Sequence, residues 1–150
     1  MKRLVCLLSL SCLALLAATA QSNATIDQVL TESRISFTHA AWLALSAGQV
    51  IPDTAEPSDA VEAVKKLGIT VPANPDASPV SLGDYSFLIM KSLGLQGGVI
   101  YSIIPSGHYA LRELVYRKAL SSPVWENETL SGEEAMRILL KALDAKEKQK

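Results

Sequence analysis

"VSLGDYSFLIMKSLG", Val80–Gly94, places a serine three residues before an acid and then repeats apolar residues at helical spacing. Ser81 reads as an N-cap, because a hydroxyl there accepts a hydrogen bond from one of the free backbone N–H groups of a helix's first turn. The same pattern opens "ISFTHAAWLALSAG" at Ile35 and "LSGEEAMRILLKAL" at Leu130. Aligning Ser36, Ser81 and Ser131 gives separations of 45 and 50 residues, a period that signals a repeated supersecondary unit.

Three residues after each serine come His39, Asp84 and Glu134. Ser131 with Glu134 forms a full capping box, Asp84 is a shorter relative, and His39 departs from the pattern. The apolar positions Ala40, Leu43 and Ala47, then Tyr85, Leu88, Ile89 and Leu93, then Ala135, Ile138, Leu139 and Leu143 predict three amphipathic helices. Gly48 and Gly94 sit where a left-handed residue ends a helix. The third helix runs into a charged end expected to fray.

Two further helical patterns, "SDAVEAVKKLGI" from Ser58 and "SGHYALRELVYRKAL" from Ser106, precede the second and third capped helices. The first carries Val61, Val64 and Leu67 on one face and stops at Gly68; the second carries Tyr109, Leu111, Leu114, Val115 and Ala119. The turn-rich stretches "TVPANPDASP" and "SSPVWENET" complete a unit of helix, irregular loop and serine-capped helix, the first copy being shortened to "ATIDQVLTES". The expected fold is all-α, three helix-loop-helix units in one domain over 21–145, with a charged tail at 146–150. Val99–Ile104, β-branched between Gly97-Gly98 and Pro105, reads as a short extended segment.

"MKRLVCLLSLSCLALLAATA", residues 1–20, has a basic start, an apolar run and Ala18-Thr19-Ala20, the marks of a cleaved secretory signal. Its apolar run is shorter than a membrane-spanning helix requires. A lipoprotein signal at Cys12 fits less well, because Ser9-Leu10-Ser11 lacks the expected apolar residue. Both cysteines, Cys6 and Cys12, fall in this segment, so the remaining chain must hold by its core without disulfides. Without Lys2 and Arg3, twelve basic residues face fifteen acidic ones, a formal net charge of about −3 that gives no nucleic-acid signature. An exported protein, periplasmic or at the cell surface, is expected. The sequons at Asn23 and Asn127 matter only in a eukaryotic secretory route.

The unit resembles the S-layer homology repeat of bacterial surface proteins, whose two helices open with patterns like HWAYEAV and ITRAEFAALLARAL. "HYALREL" from His108 stands for the first and the stretches at Val80 and Leu130 for the second. The resemblance implies three units about a pseudo-threefold axis and a non-catalytic role in holding a protein to cell-wall glycan. The family's ligand-binding arginine falls on Phe37, Leu82 and Gly132, and its acidic position is kept as Asp84 and Glu134.

No catalytic motif stands out. His39 and His108, 69 positions apart and without cysteines nearby, make no transition-metal pattern. Asp53, Glu56, Asp59 and Glu62 lack the alternating oxygen ligands and central glycine of a calcium loop and read as a solvated helix start. Gly97-Gly98 is no phosphate loop, lacking a following lysine. No cofactor is implied. Trp42 belongs to an apolar helix and is expected in the core, while Trp125, in a loop beside Pro123 and Glu126, is the candidate for a ligand or partner contact. Arg112, Arg34 and Lys91 are the cations available to replace the family's arginines, and His108 marks a helix start. The leading expectation is a binding or adaptor module for an envelope protein or cell-wall glycan. Glycan anchoring is the narrower alternative, and a small periplasmic hydrolase using His108 the remaining one.

Overall fold

The computed structural model describes residues 24–148. The expected signal, with both cysteines, and the end of the charged tail lie outside them. The described chain is all-α: α1 (24–31), α2 (Phe37–Ala47), α3 (Pro57–Lys66), α4 (Leu82–Ser92), α5 (Val99–Ile103), α6 (Gly107–Tyr116) and α7 (Gly132–Glu147). Two isolated antiparallel bridges, Ser36 to Pro79 and Ser81 to Thr129, are the β-type pairing among the described residues.

All three serines cap as their spacing predicts. Ser36, Ser81 and Ser131 take the N–H of His39, Asp84 and Glu134 at 3.3, 3.0 and 3.3 Å. At Ser131 the box closes, Glu134 Oε2 accepting the serine's own N–H at 2.9 Å. Hydrogen bonds from the backbone and side chain of Ser131 hold the Glu134 carboxyl below its usual range. At Ser36 the missing acid is supplied from upstream: Glu32 Oε2 accepts the Ser36 N–H at 2.8 Å, and His39 Nδ1 holds the other carboxylate oxygen. His39 thus replaces the acid by anchoring one.

The residue after each serine ties its helix to the loop before another. Phe37 N–H donates to Ser78 O (2.9 Å), Leu82 N–H to Glu128 O (2.7 Å) and Gly132 N–H to Glu32 O (2.9 Å). Ile35 N–H donates to Leu130 O and Val80 N–H to Ile35 O, so all three capped starts are joined through main chain. Helix N-termini leave such donors unsatisfied, and here neighbouring loops take them. α2, α4 and α7 touch one another, with α3 on α2 and α6 on α4. α1 lies against α7 closely enough that a Cβ at Gly132 would stand 1.8 Å from Val29 O.

α2 and α4 are buried nearly all round rather than on one stripe, the mark of central helices. The Tyr85 hydroxyl, fully buried, donates to Ala135 O at 3.0 Å and joins α4 to α7; burial pushes its pKa above the usual phenol range. Trp42 is buried and donates from Nε1 to Ala55 O at 2.8 Å.

Three sequence expectations need correction. Residues 99–104 are not extended: α5 is a single helical turn with Tyr101 buried and its four aliphatic neighbours exposed. A strand there would need a partner for its N–H and C=O groups, whereas a helical turn begins to pair its own. Gly48 is right-handed (φ −79°), and Gln49 (φ 56°) makes the left-handed step. Gly48 is needed for space instead, since a Cβ would come 2.3 Å from Ser92 O where α2 crosses α4. Leu67 is exposed, because α3 ends before it and Ala60 takes the third place on its buried face. As expected, the third capped helix runs into the charged end, α7 continuing to Glu147.

Candidate binding cleft

The site is built on paired glycines at the starts of α4 and α6. A Cβ at Gly107 would lie 2.9 Å from the Gly83 carbonyl carbon, so the first turn of α6 lies directly on that of α4. A Cβ at Gly83 would stand 2.5 Å from Glu126 Cγ, so the bare backbone at 83 is also what lets the Glu126 side chain pass. That side chain reaches His108, whose Nδ1 is 3.2 Å from Glu126 Oε2. The loop carrying it is pinned to α4 through Gly83 N–H to Glu126 O (2.9 Å) and Leu82 N–H to Glu128 O. It turns on Glu128 N–H to Trp125 O (3.1 Å), which holds Trp125 outward, 74% exposed.

Between α6 and residues 122–127 lies a cleft of about 740 Å³. His108, Arg112 and Tyr116 line it from α6 at i, i+4 and i+8, one stripe of the helix, and Trp125, Glu126 and Asn127 line it from the loop. Tyr116 is 85% exposed. Two aromatic faces, a guanidinium and an amide around an open cleft suit a ligand with flat apolar faces and polar edges. His108 stacks edge-on against Tyr109 at 5.2 Å. Ser122 lines the same cleft, but no hydrogen bond joins it to His108. Base and orienting carboxylate are therefore paired without a bonded nucleophile.

Three of the four contact candidates, Trp125, Arg112 and His108, meet here. Arg34 does not; it is exposed in the connection between α1 and α2. Lys91 lies over the Phe87 ring, Nζ 5.5 Å from its centroid. Phe37, Leu82 and Gly132 are buried, so the positions of the resembling family's arginine face the interior. Among the described residues no group of three or more His, Cys, Asp or Glu is placed to hold a metal. No protein-family model, curated protein or solved structure matches the chain.

Sequence reasoning missed Tyr116, Glu126 and Asn127 as cleft residues. The i, i+4, i+8 stripe on "HYALRELVY" was a signal for Tyr116; the Glu126 crossing depends on Gly83 and Gly107 meeting, a contact between residues 24 apart.

Proposed function

We propose that the chain is a non-catalytic, exported envelope protein that binds another envelope component, protein or glycan, through the cleft between α6 and residues 122–127. The observation that carries this reading is the convergence of Trp125, Tyr116, Arg112 and the His108–Glu126 pair on one open cleft, with both aromatics presented to solvent by a pinned loop. Exposed Trp, Tyr and Arg are the residue types that dominate binding energy at interfaces and stack on sugar rings. In this reading the three helix-loop-helix units form a pseudo-threefold scaffold of the S-layer homology kind. The main-chain links among the three capped starts support that arrangement.

Export is tested by N-terminal sequencing of the protein recovered from the envelope or medium, which should begin at Gln21. Binding is tested by sedimentation with purified wall polymer and by pull-down from solubilised envelopes. Trp125→Ala should abolish retention while leaving stability within about 0.5 kcal/mol, as expected for an exposed side chain. A wild-type chain that retains neither wall polymer nor any envelope protein refutes the reading.

A further inference from the structure

Between Lys91 and Arg112 the chain carries no Asp, Glu, Lys or Arg, and the middle of this stretch is α5. Val99 and Ile103 are 75% and 72% exposed, and Ile100 and Ile104 more than half exposed. They stand at i, i+1, i+4 and i+5, one face of a helical turn. Tyr101 alone turns inward, its ring over Gly97, where a Cβ would come 2.4 Å from Cδ1, and edge-on to Phe87 at 6.4 Å. The turn is further held by Gly98 N–H on Glu113 Oε1 at 2.8 Å. The four aliphatic side chains are thus fixed outward by an anchored backbone. Together they form an exposed aliphatic knob, with Val99 and Ile100 also bordering the cleft between α5 and α6.

Cations surround the knob. Arg112 and Arg117 line the cleft of about 550 Å³ behind α5, and Lys91 lies on Phe87, which meets Tyr101. Arg117 is held inside the fold, its Nη2 donating to Gln96 O and its Nε and Nη1 buried without a partner among the described residues. Glu113 is the acid of that cleft, and its Oε1 is taken by Gly98. A chain whose formal net charge is −1 therefore places two exposed cations, Lys91 and Arg112, near its most exposed aliphatic cluster.

We propose that α5 docks this protein on an anionic bilayer, with Val99, Ile100, Ile103 and Ile104 entering the boundary between headgroups and acyl chains while the exposed Lys91 and Arg112 meet lipid phosphates. Apolar side chains beside basic ones are what binds at that boundary. One helical turn offers far less than the roughly 800 Å² per partner that a stable protein pair buries, which favours a lipid surface over a second copy. This face goes beyond the cleft of the proposed function, although Arg112 and Tyr116 border both.

The test is flotation of the chain, purified as an exporting host leaves it, with phosphatidylcholine vesicles with and without phosphatidylglycerol. The wild type should float with the anionic vesicles. The double variant Ile100→Asp, Ile103→Asp should float about tenfold less at an unchanged melting temperature, since both side chains are exposed. Lys91→Gln, at an exposed cation, should weaken the preference for anionic vesicles. Wild type that stays unbound, or a double variant that floats equally well, overturns the proposal. So does a wild type that is dimeric in sedimentation and becomes monomeric in the double variant. Trp125→Ala should float normally, which separates this face from the cleft.

Discussion

The cap of α2 makes the sharpest prediction, because it departs from its two counterparts in a way that can be reversed. Glu32 Oε2 accepts the Ser36 N–H at 2.8 Å, the role that Glu134 Oε2 plays for Ser131 at 2.9 Å. Removing a charge-assisted acceptor from a buried N–H costs about 1.5–2 kcal/mol. Glu32→Ala should therefore lower the melting temperature by about 5–7 °C, at roughly 3–4 °C per kcal/mol for this chain length. His39→Glu alone places a second carboxylate where His39 Nδ1 now holds Glu32, and like charges at that separation cost about 1 kcal/mol or more.

In the Glu32→Ala background, however, the same His39→Glu change restores a serine-x-x-glutamate box and should recover about 1 kcal/mol. The substitution thus changes sign with its background, a coupling of about 2 kcal/mol, well above the additivity expected of independent sites. The assay is urea unfolding of the four proteins of the cycle, comparing midpoints at constant slope. Effects that add to within about 0.5 kcal/mol would refute the claim that Glu32 and residue 39 share one capping role.

Gly132→Ala drives a Cβ to 1.8 Å from Val29 O with backbone on both sides, so it should cost about 3 kcal/mol or more, whereas Gly68→Ala, at φ 74° in open space, should cost about 1 kcal/mol by urea unfolding. Burial, and secondarily Glu113, pushes the Tyr101 phenol up to about 12. Its neutral form contributes stability that is fully present below pH 10 and lost as pH rises to about 12, so Tyr101→Phe should flatten the alkaline decline in melting temperature. The Glu134 carboxyl is held low by Ser131, so its contribution is present above the ordinary carboxylate range and lost as pH falls through the lowered value. Glu134→Gln should make stability less acid-dependent there; an unchanged acid slope refutes it.

Local chemistry was legible in the sequence and contacts across the chain were not. Ser36, Ser81 and Ser131 were readable as caps because the bond each makes closes within three residues. The anchoring of Glu32 by His39 was hidden, although the two are seven residues apart, because capping rules look forward from the serine rather than back. Gly48 was placed at the right helix end for the wrong reason: its backbone is helical, and its missing Cβ serves Ser92 on another helix. α5 is helical despite its β-branched residues because these favour strands only where a partner strand exists, and none lies beside it among the described residues. Trp125 stands out from its loop, whereas Tyr116 joins it only through the packing of α6 beside residues 122–127.

Phe37, Leu82 and Gly132, equivalent across the three capped helices, each donate an N–H to a neighbouring loop and are each buried. A charged side chain there would be desolvated without a partner, at a cost of several kcal/mol. On the proposed reading, ligand contact comes from segments that differ between the units rather than from these buried positions. Those segments are the 122–127 loop with Trp125 and the connection that forms α5, and they carry the most exposed aromatic and aliphatic side chains of the described chain alongside Tyr116. On the proposed reading, the repeated positions are committed to closing the scaffold. Binding belongs to what the second and third units do not share, which is why substitutions at Trp125 and at Ile100 and Ile103 should separate binding from stability, while substitutions at Leu82 or Gly132 should not.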